Sequence, residues 1–159
     1  MWTNSSHLSG PEIAVLSKEI TWEKQWVFFR CQINGVVYQC AKYKRVTARN
    51  NFTVSFKMSD TLMYGFIKTY VKAAEGCKDV TCTENNCQCN NTASYWAIIK
   101  ILDKHLEQPC IRALKHIVRV KPTDKLVAVA INAIQEKCVC VNVSSGTWVC
   151  HLPNNHERD

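Results

Sequence analysis

Four cysteines in one short polar segment come closest, by residue type and spacing, to a chemical site. The segment 75–93 carries Cys77, Cys82, Cys87 and Cys89 in the spacing Cys-x4-Cys-x4-Cys-x-Cys. Four thiolates in tetrahedral arrangement would hold one structural zinc ion, which would order a loop that lacks its own core. The spacing differs from the usual pair of Cys-x2-Cys knuckles, so two disulfides or free thiols remain open, with His105 or Cys110 as a replacement zinc ligand.

A basic stretch is the second candidate for chemistry. Lys42, Tyr43, Lys44 and Arg45 are consecutive, Arg49 follows, and the whole chain has a net charge of +7. Cations with an aromatic residue among them suit contact with phosphate groups or with a peptide. We therefore place Lys44, Arg45 and Arg49 in a binding surface and include the nucleic-acid backbone among the candidate partners. The alternative is a solvated face of alternating strands.

Aromatic residues near predicted strand ends and turns supply a third candidate. Two or three converging rings would form a cage for a methylated lysine, because a quaternary ammonium is attracted to aromatic faces. We select Tyr38, Tyr43 and Trp96 as cage residues. The alternative is that these side chains pack in the core, as most aromatic residues of strands do.

Signatures of catalysis and of membrane insertion are missing from the chain. There is no Gly-rich phosphate loop, no Gly-x-Ser-x-Gly and no His-Glu-x-x-His motif. No apolar run approaches the roughly 18 residues that a membrane-spanning helix requires. We predict that the protein is not an enzyme, that it needs no cofactor beyond the candidate zinc, and that it has no membrane partner.

The ten cysteines also bear on the cellular compartment. The N-terminal residues show no signal-peptide pattern, which favours a nuclear or cytoplasmic protein with mostly reduced thiols. A three-residue turn at 144–146 would place Cys140 opposite Cys150, the one pair whose geometry suits a disulfide. Four Asn-x-Ser/Thr motifs favour the alternative of a secreted protein, at Asn4, Asn51, Asn90 and Asn142.

The elements that would position these residues follow a period-two hydrophobic pattern. Asn34-Gly35 between two alternating runs predicts a hairpin that pairs Cys31 with Tyr38. About eight or nine short strands and one or two short helices predict a mostly β antiparallel barrel or sandwich. We expect one domain over 1–159, with an N-terminal arm at 1–25 and a cysteine-rich insert at 75–93.

A short helix is expected in the N-terminal arm. Ser9 suits the N-cap position and Pro11 the first turn. Ile13, Leu16 and Ile20 would then form the face that packs on the strands.

Several short strings resemble a module at the C-terminal end of many animal transposon-encoded proteins, whose layout is similar to the bromo-adjacent homology domain of chromatin proteins. The resemblance covers about residues 26–155. The strings are Asn34-Gly35-Val36-Val37-Tyr38, Tyr43-Lys44-Arg45-Val46, Arg49-Asn50, Tyr64-Gly65-Phe66-Ile67, His116-Ile117-Val118-Arg119-Val120, Lys137-Cys138-Val139 and Leu152-Pro153-Asn154.

This resemblance implies a non-catalytic β-barrel interaction module in a transposon-derived, often nuclear, protein. Its expected partner is a histone tail, other chromatin or another protein. The insert at 75–93 departs from the simple pattern and leaves open whether the usual peptide-binding edge is accessible. The alternative function is a secreted, disulfide-bonded glycoprotein domain that binds a receptor or host protein.

Overall fold

The protein is mostly antiparallel β structure, as the alternating pattern predicts. The computed structural model describes residues 3–4, 8–20, 24–43, 51–74, 93–105 and 116–151. Within them lie one helix, α1 (Gly10–Leu16), and one 3₁₀ turn (Ile131–Ala133). The strands are β1 (Thr3–Asn4), β2 (Lys24–Phe28), β3 (Arg30–Ile33), β4 (Val36–Gln39), β5 (Thr53–Met58), β6 (Thr61–Ala74), β7 (Ser94–Lys104), β8 (Ile117–Ala130), β9 (Ile134–Val143) and β10 (Gly146–His151).

Six of these strands form a barrel-like ring. β5 pairs with β6 and β9, β9 with β10, β10 with β8, β8 with β7, and β7 with β6. β2 pairs with the C-terminal half of β6, and β1 pairs with β2. The long strand β6 thus contacts β7 on one side, and β5 and β2 in succession on the other.

Two strands depart from a simple alternating run. The run at 26–33 divides at Phe29 into β2 and β3, because the chain leaves the large sheet there to form a separate two-stranded sheet with β4. The segment 126–130 belongs to β8, which continues through Pro122. A register shift between Lys100 and Leu102 of β7 accompanies that proline, which lacks the N–H needed for the ladder.

The Asn34-Gly35 hairpin is confirmed with its predicted register. Ile33 pairs with Val36 and Cys31 with Tyr38. Asn34 has φ of 50° and Gly35 has φ of 81°, the left-handed values that a type I′ turn requires at both central positions. The hairpin is therefore a feature that local turn chemistry specifies.

Three hydrophobic clusters pack against the strands of the ring. One side chain from each of β6 to β10 fills the inside of the ring: Tyr64, Leu102, Val120, Cys138 and Val149. A larger cluster under the β3–β4 hairpin includes Phe28, Tyr38, Val54, Phe56, Ile67, Tyr70, Ala97 and Ile99. The third lies between α1 and the sheet and contains Leu16, Ile20, Val71, Ala73 and Ile98. The strands thus carry apolar residues on both faces.

Helix α1 begins after Ser9 as predicted, but one residue of its predicted inner face is wrong. Leu16 and Ile20 are buried, whereas Ile13 is 50% exposed and Glu12 is buried. Glu12 and Leu16 are four residues apart on α1 and share a face, whereas Ile13 lies about 100° from Glu12 around the axis. Ile20 comes after the helix ends at Leu16, so the helical period does not place it.

The buried Glu12 carboxylate is satisfied by three donors. Its Oε2 accepts hydrogen bonds from the backbone N–H of Ser9 at 2.8 Å, from Ser9 Oγ at 3.0 Å and from Lys42 Nζ at 2.8 Å. The ion pair joins the helix to the segment after β4. Burial acts to raise the pKa of Glu12, but the hydrogen bonds from Lys42 and Ser9 outweigh it and hold that pKa below its ordinary value of 4.5.

The predicted pairing of Cys140 with Cys150 is wrong. Gly146 pairs with Val143, so the turn has two residues rather than three. Cys140 therefore faces Val149, and Cys150 faces Val139. A shift of one residue moves a side chain to the other face of a sheet, so the two cysteines do not form a cross-strand pair.

No helix in the described part of the chain is both long and apolar enough to cross a lipid bilayer.

Replacing Gly65 tests the close contact between β6 and β7. A Cβ atom at this position would lie 2.7 Å from the carbonyl oxygen of Lys100 and would also overlap the side chain of Ile99. We expect Gly65→Ala to lower the free energy of unfolding in urea by about 1–3 kcal/mol. Gly10→Ala is the control, because nothing lies within 4 Å of a Cβ there. Equal stability of the two variants would show that the strands do not approach this closely.

The Glu12–Lys42 ion pair predicts a pH-dependent stability. We expect Glu12→Ala to lose about 2 kcal/mol of unfolding free energy near neutral pH. Because the folded-state pKa of Glu12 lies below 4.5, this contribution is present above that pH and is lost as the pH falls below it. Urea unfolding at several pH values should therefore show wild type and variant converging in acid. The exposed Glu19→Ala is the matched control, and a loss of equal size there would contradict this role for Glu12.

Candidate functional site

One candidate site is an open groove beside the edge of β3. Its volume is about 660 Å³. The groove is lined by the end of β2, by β3, by the start of β7, and by the junction of β8 with the 3₁₀ turn. The described lining residues are Phe28, Arg30, Cys31, Gln32, Ser94, Tyr95, Trp96, Ala130, Ile131 and Asn132.

Three aromatic residues are among the lining residues of the groove, and other contacts hold their rings in place. Phe28 stacks on the buried Tyr70 with ring centroids 5.1 Å apart. Its edge also meets Tyr95 at 6.3 Å with the ring planes 82° apart. The Trp96 indole N–H donates to Ser94 Oγ at 2.7 Å, and Trp96 lies opposite Ala130 in the β7–β8 ladder. The wall is therefore positioned before any partner binds.

The electrostatics of the groove are simple. Among its described lining residues, the exposed Arg30 is the one side chain charged at neutral pH, and none is a carboxylate or an imidazole. Burial raises the pKa of the Cys31 thiol, so this thiol is protonated and a weak nucleophile. The groove thus offers aromatic faces, amide groups and one guanidinium, a set suited to recognition rather than to proton transfer.

The structure does not bring together the three aromatic residues selected from the sequence. Tyr38 is only 3% exposed and belongs to the cluster under the hairpin, and Tyr43 packs partly buried against that cluster. Trp96 lines the groove and packs on the cluster beneath α1. Of the three, only Trp96 is among the described lining residues of the groove.

The other predicted site residues lie outside the described residues. These are the basic residues Lys44, Arg45 and Arg49 and the candidate zinc ligands Cys77, Cys82, Cys87 and Cys89. Within the described ranges, no group of three or more His, Cys, Asp or Glu side chains is arranged to hold a metal ion. Zinc binding by the insert stays a prediction.

The sequence analysis missed Phe28, Arg30 and Tyr95 as groove residues. Period-two alternation assigns a side chain to one face of its own strand, but it does not say which distant strand lies beside that face. Tyr95 directly precedes Trp96, and its 41% exposure is the feature that marks it in the structure. The division of the run at 26–33 into two strands is what places Phe28 and Arg30 at the groove.

A second polar cluster extends from the inside of the ring to its surface. The imidazole of His151 lies between two partners, with Nε2 2.7 Å from Tyr64 Oη and Nδ1 2.8 Å from Glu136 Oε2. Burial, with the nearby Cys138 and Glu136, raises the pKa of Tyr64 to about 12. The phenol therefore stays protonated, and the hydrogen bonds of His151 to Tyr64 and Glu136 join β10 to β6 and β9.

Comparison with protein-family models, with curated proteins and with solved structures finds no match to this chain.

The thiols give a test that also separates the two proposed compartments. All five described cysteines are free: Cys31, Cys40, Cys138, Cys140 and Cys150. Burial raises the pKa of Cys40 to about 11 and that of Cys138 to about 12, so both hold little thiolate at pH 8.

In native protein at pH 8 we expect Cys40 and Cys138 to react most slowly with iodoacetamide, as read by peptide mass spectrometry. In denaturant without reductant, all five should be alkylated. Protection of both Cys140 and Cys150 under that second condition, with a disulfide-linked peptide that joins the two, would contradict the register described above and favour the secreted alternative.

Proposed function

We propose that this protein is a non-catalytic interaction module that binds a segment of a partner protein in the groove beside β3. The observation that carries the proposal is the combination of fixed aromatic faces with one guanidinium in an open groove of about 660 Å³. Grooves of this kind bind by burying an apolar side chain and orienting it with a few polar contacts. Tyr95 and Arg30 are exposed at this surface and are its main contact residues.

The chemistry of the described titratable groups supports binding rather than catalysis. A general base or nucleophile must be accessible and must titrate near the working pH. The Cys31 thiol has a raised pKa, and Tyr64 is 3% exposed with a pKa of about 12. His151 is already held between Tyr64 and Glu136.

The charge of the groove favours an acidic partner segment. Arg30 attracts a carboxylate, and none of the described lining residues would oppose one. The chain as a whole is also positive, with a net charge of +7. Opposite charge speeds association and disfavours basic partners.

A histone tail with methylated lysine is the second candidate, in keeping with the resemblance to bromo-adjacent homology domains and a nuclear, transposon-derived protein. The edge-to-face contact of Phe28 with Tyr95 at the groove favours it, because aromatic faces attract a quaternary ammonium. The positive charge of Arg30 acts against it.

The proposal is tested by selecting partners from a displayed library of random twelve-residue peptides. We expect enriched peptides to combine acidic with aromatic or aliphatic residues. The synthesised best binder should lose about tenfold in affinity with Tyr95→Ala, by isothermal titration calorimetry, because burial of an aromatic contact contributes about 1–2 kcal/mol. Val141→Ala is the matched control, since Val141 has a similar exposure of 40% and does not line the groove.

Two outcomes decide between the candidates. Selection of acidic peptides that no longer bind the Arg30→Glu variant supports the acidic partner segment. Tight binding of trimethyllysine peptides, strengthened by Arg30→Glu, supports the histone tail instead. If no peptide binds in either arm, or if Val141→Ala weakens binding as much as Tyr95→Ala does, the groove is not the binding site.

A further inference from the structure

The edge of β3 that borders the groove has no strand paired with it among the described residues. β3 pairs only with β4, and the two form a sheet of their own. The opposite side of β3 borders the groove, because Arg30, Cys31 and Gln32 are among the residues that line the groove. An unpaired strand edge presents a row of backbone donors and acceptors that another chain can use.

The hairpin register shows which backbone groups point to that edge. In an antiparallel pair, hydrogen-bonded and non-hydrogen-bonded residue pairs alternate. The backbone N–H of Cys40 donates to the carbonyl of Phe29 at 3.1 Å, so the inward groups belong to positions 29, 31 and 33. The N–H and C=O groups of Arg30 and Gln32 therefore point away from β4 and towards the groove.

The side chains of β3 agree with this arrangement. Cys31 and Ile33 pack against the core beneath the hairpin, whereas Arg30 and Gln32 are exposed. Gln32 makes a contact of 3.5 Å from Nε2 to the carbonyl of Gly35, within its own turn. In the described part of the chain no carboxylate is paired with Arg30, so its guanidinium is available to a partner.

We propose that an acidic, extended segment of a partner protein adds to β3 as a further strand. Its backbone pairs with the outward N–H and C=O groups of Arg30 and Gln32, and a carboxylate meets the Arg30 guanidinium. One apolar side chain enters the groove beside Phe28 and Tyr95. This inference rests on the proposed function and specifies its mode, because strand addition takes affinity from the main chain and specificity from the pocket.

A second copy of this chain is the less suitable occupant. Each copy carries a net charge of +7 and would bring another Arg30 to the same edge. The charge at the groove therefore selects an acidic partner over self-pairing.

Amide hydrogen exchange distinguishes strand addition from side-chain docking. The probe is the highest-affinity peptide from the library selection, added to the 159-residue chain at saturation. We expect the Arg30 and Gln32 amides to exchange fast in the free protein and at least tenfold more slowly in the complex. Cys31 and Ile33 already donate to β4, so their amides should be slow in both states.

A proline variant tests the same backbone donor by removing it. Gln32→Pro deletes an N–H that points away from β4, and proline is tolerated at the edge of a sheet. We expect this substitution to raise the dissociation constant of the peptide about fivefold to tenfold, because the complex loses one backbone hydrogen bond. Gln32→Thr keeps the N–H and should bind as wild type does. Circular dichroism melting identifies a proline variant that has lost its fold, and in that case the exchange measurement on wild type decides.

The outcomes separate the mode from the function. If the peptide binds and Tyr95→Ala weakens it, but the Arg30 and Gln32 amides stay fast, strand addition is overturned and the groove function stands. If no peptide binds, the proposed groove function and strand addition are both overturned. If these amides become protected at high protein concentration without peptide, and sedimentation shows a dimer, the occupant is a second copy and the inference of an acidic partner is overturned.

Discussion

The pairing of β6 on both of its sides is the constraint on which the rest of the structure depends. Its fourteen residues contact β7 along most of their length and β5 and then β2 on the opposite side. Gly65 permits this, because any Cβ there would overlap Ile99 and the backbone of Lys100. With β6 paired in this way, the ring of strands, the hairpin outside it and the helix against it all have defined positions.

The two faces of the β6–β7 ladder are covered by different elements. The β3–β4 hairpin lies over one face, and α1 lies over the other, where the buried ion pair between Glu12 and Lys42 joins the helix to the chain that leaves the hairpin. The groove occurs where the cover is incomplete, between the edge of β3 and the ends of β7 and β8. The groove therefore lies between two packed layers of the structure and is not a cavity inside a single layer.

The candidate function follows from this gap. A groove with fixed aromatic walls and an adjacent strand edge can bind a polypeptide by its side chains and by its backbone together. The polar cluster of Tyr64, His151 and Glu136 lies elsewhere, where it joins three strands of the ring. The proposed binding surface and this polar cluster thus use separate groups, and Arg30, the charged residue among the described lining residues, would select the partner under that proposal.

Local chemistry in the sequence was sufficient to predict the mostly β class, the Asn34-Gly35 hairpin with its register, and the start of α1 at Ser9, because turns and caps depend on neighbouring residues.

Local chemistry was not sufficient to predict which face of α1 is buried or how the cysteines of β9 and β10 are paired. The buried Glu12 has an ion-pair partner, Lys42, that lies thirty residues away in the chain, and one residue of turn length moves Cys140 from Cys150 to Val149. Alternation likewise predicts that Tyr38 and Trp96 lie on strands, but the order of the strands decides that the first is core and the second lines a groove. Only the tertiary structure determines such placements, since they depend on contacts between residues distant in the chain.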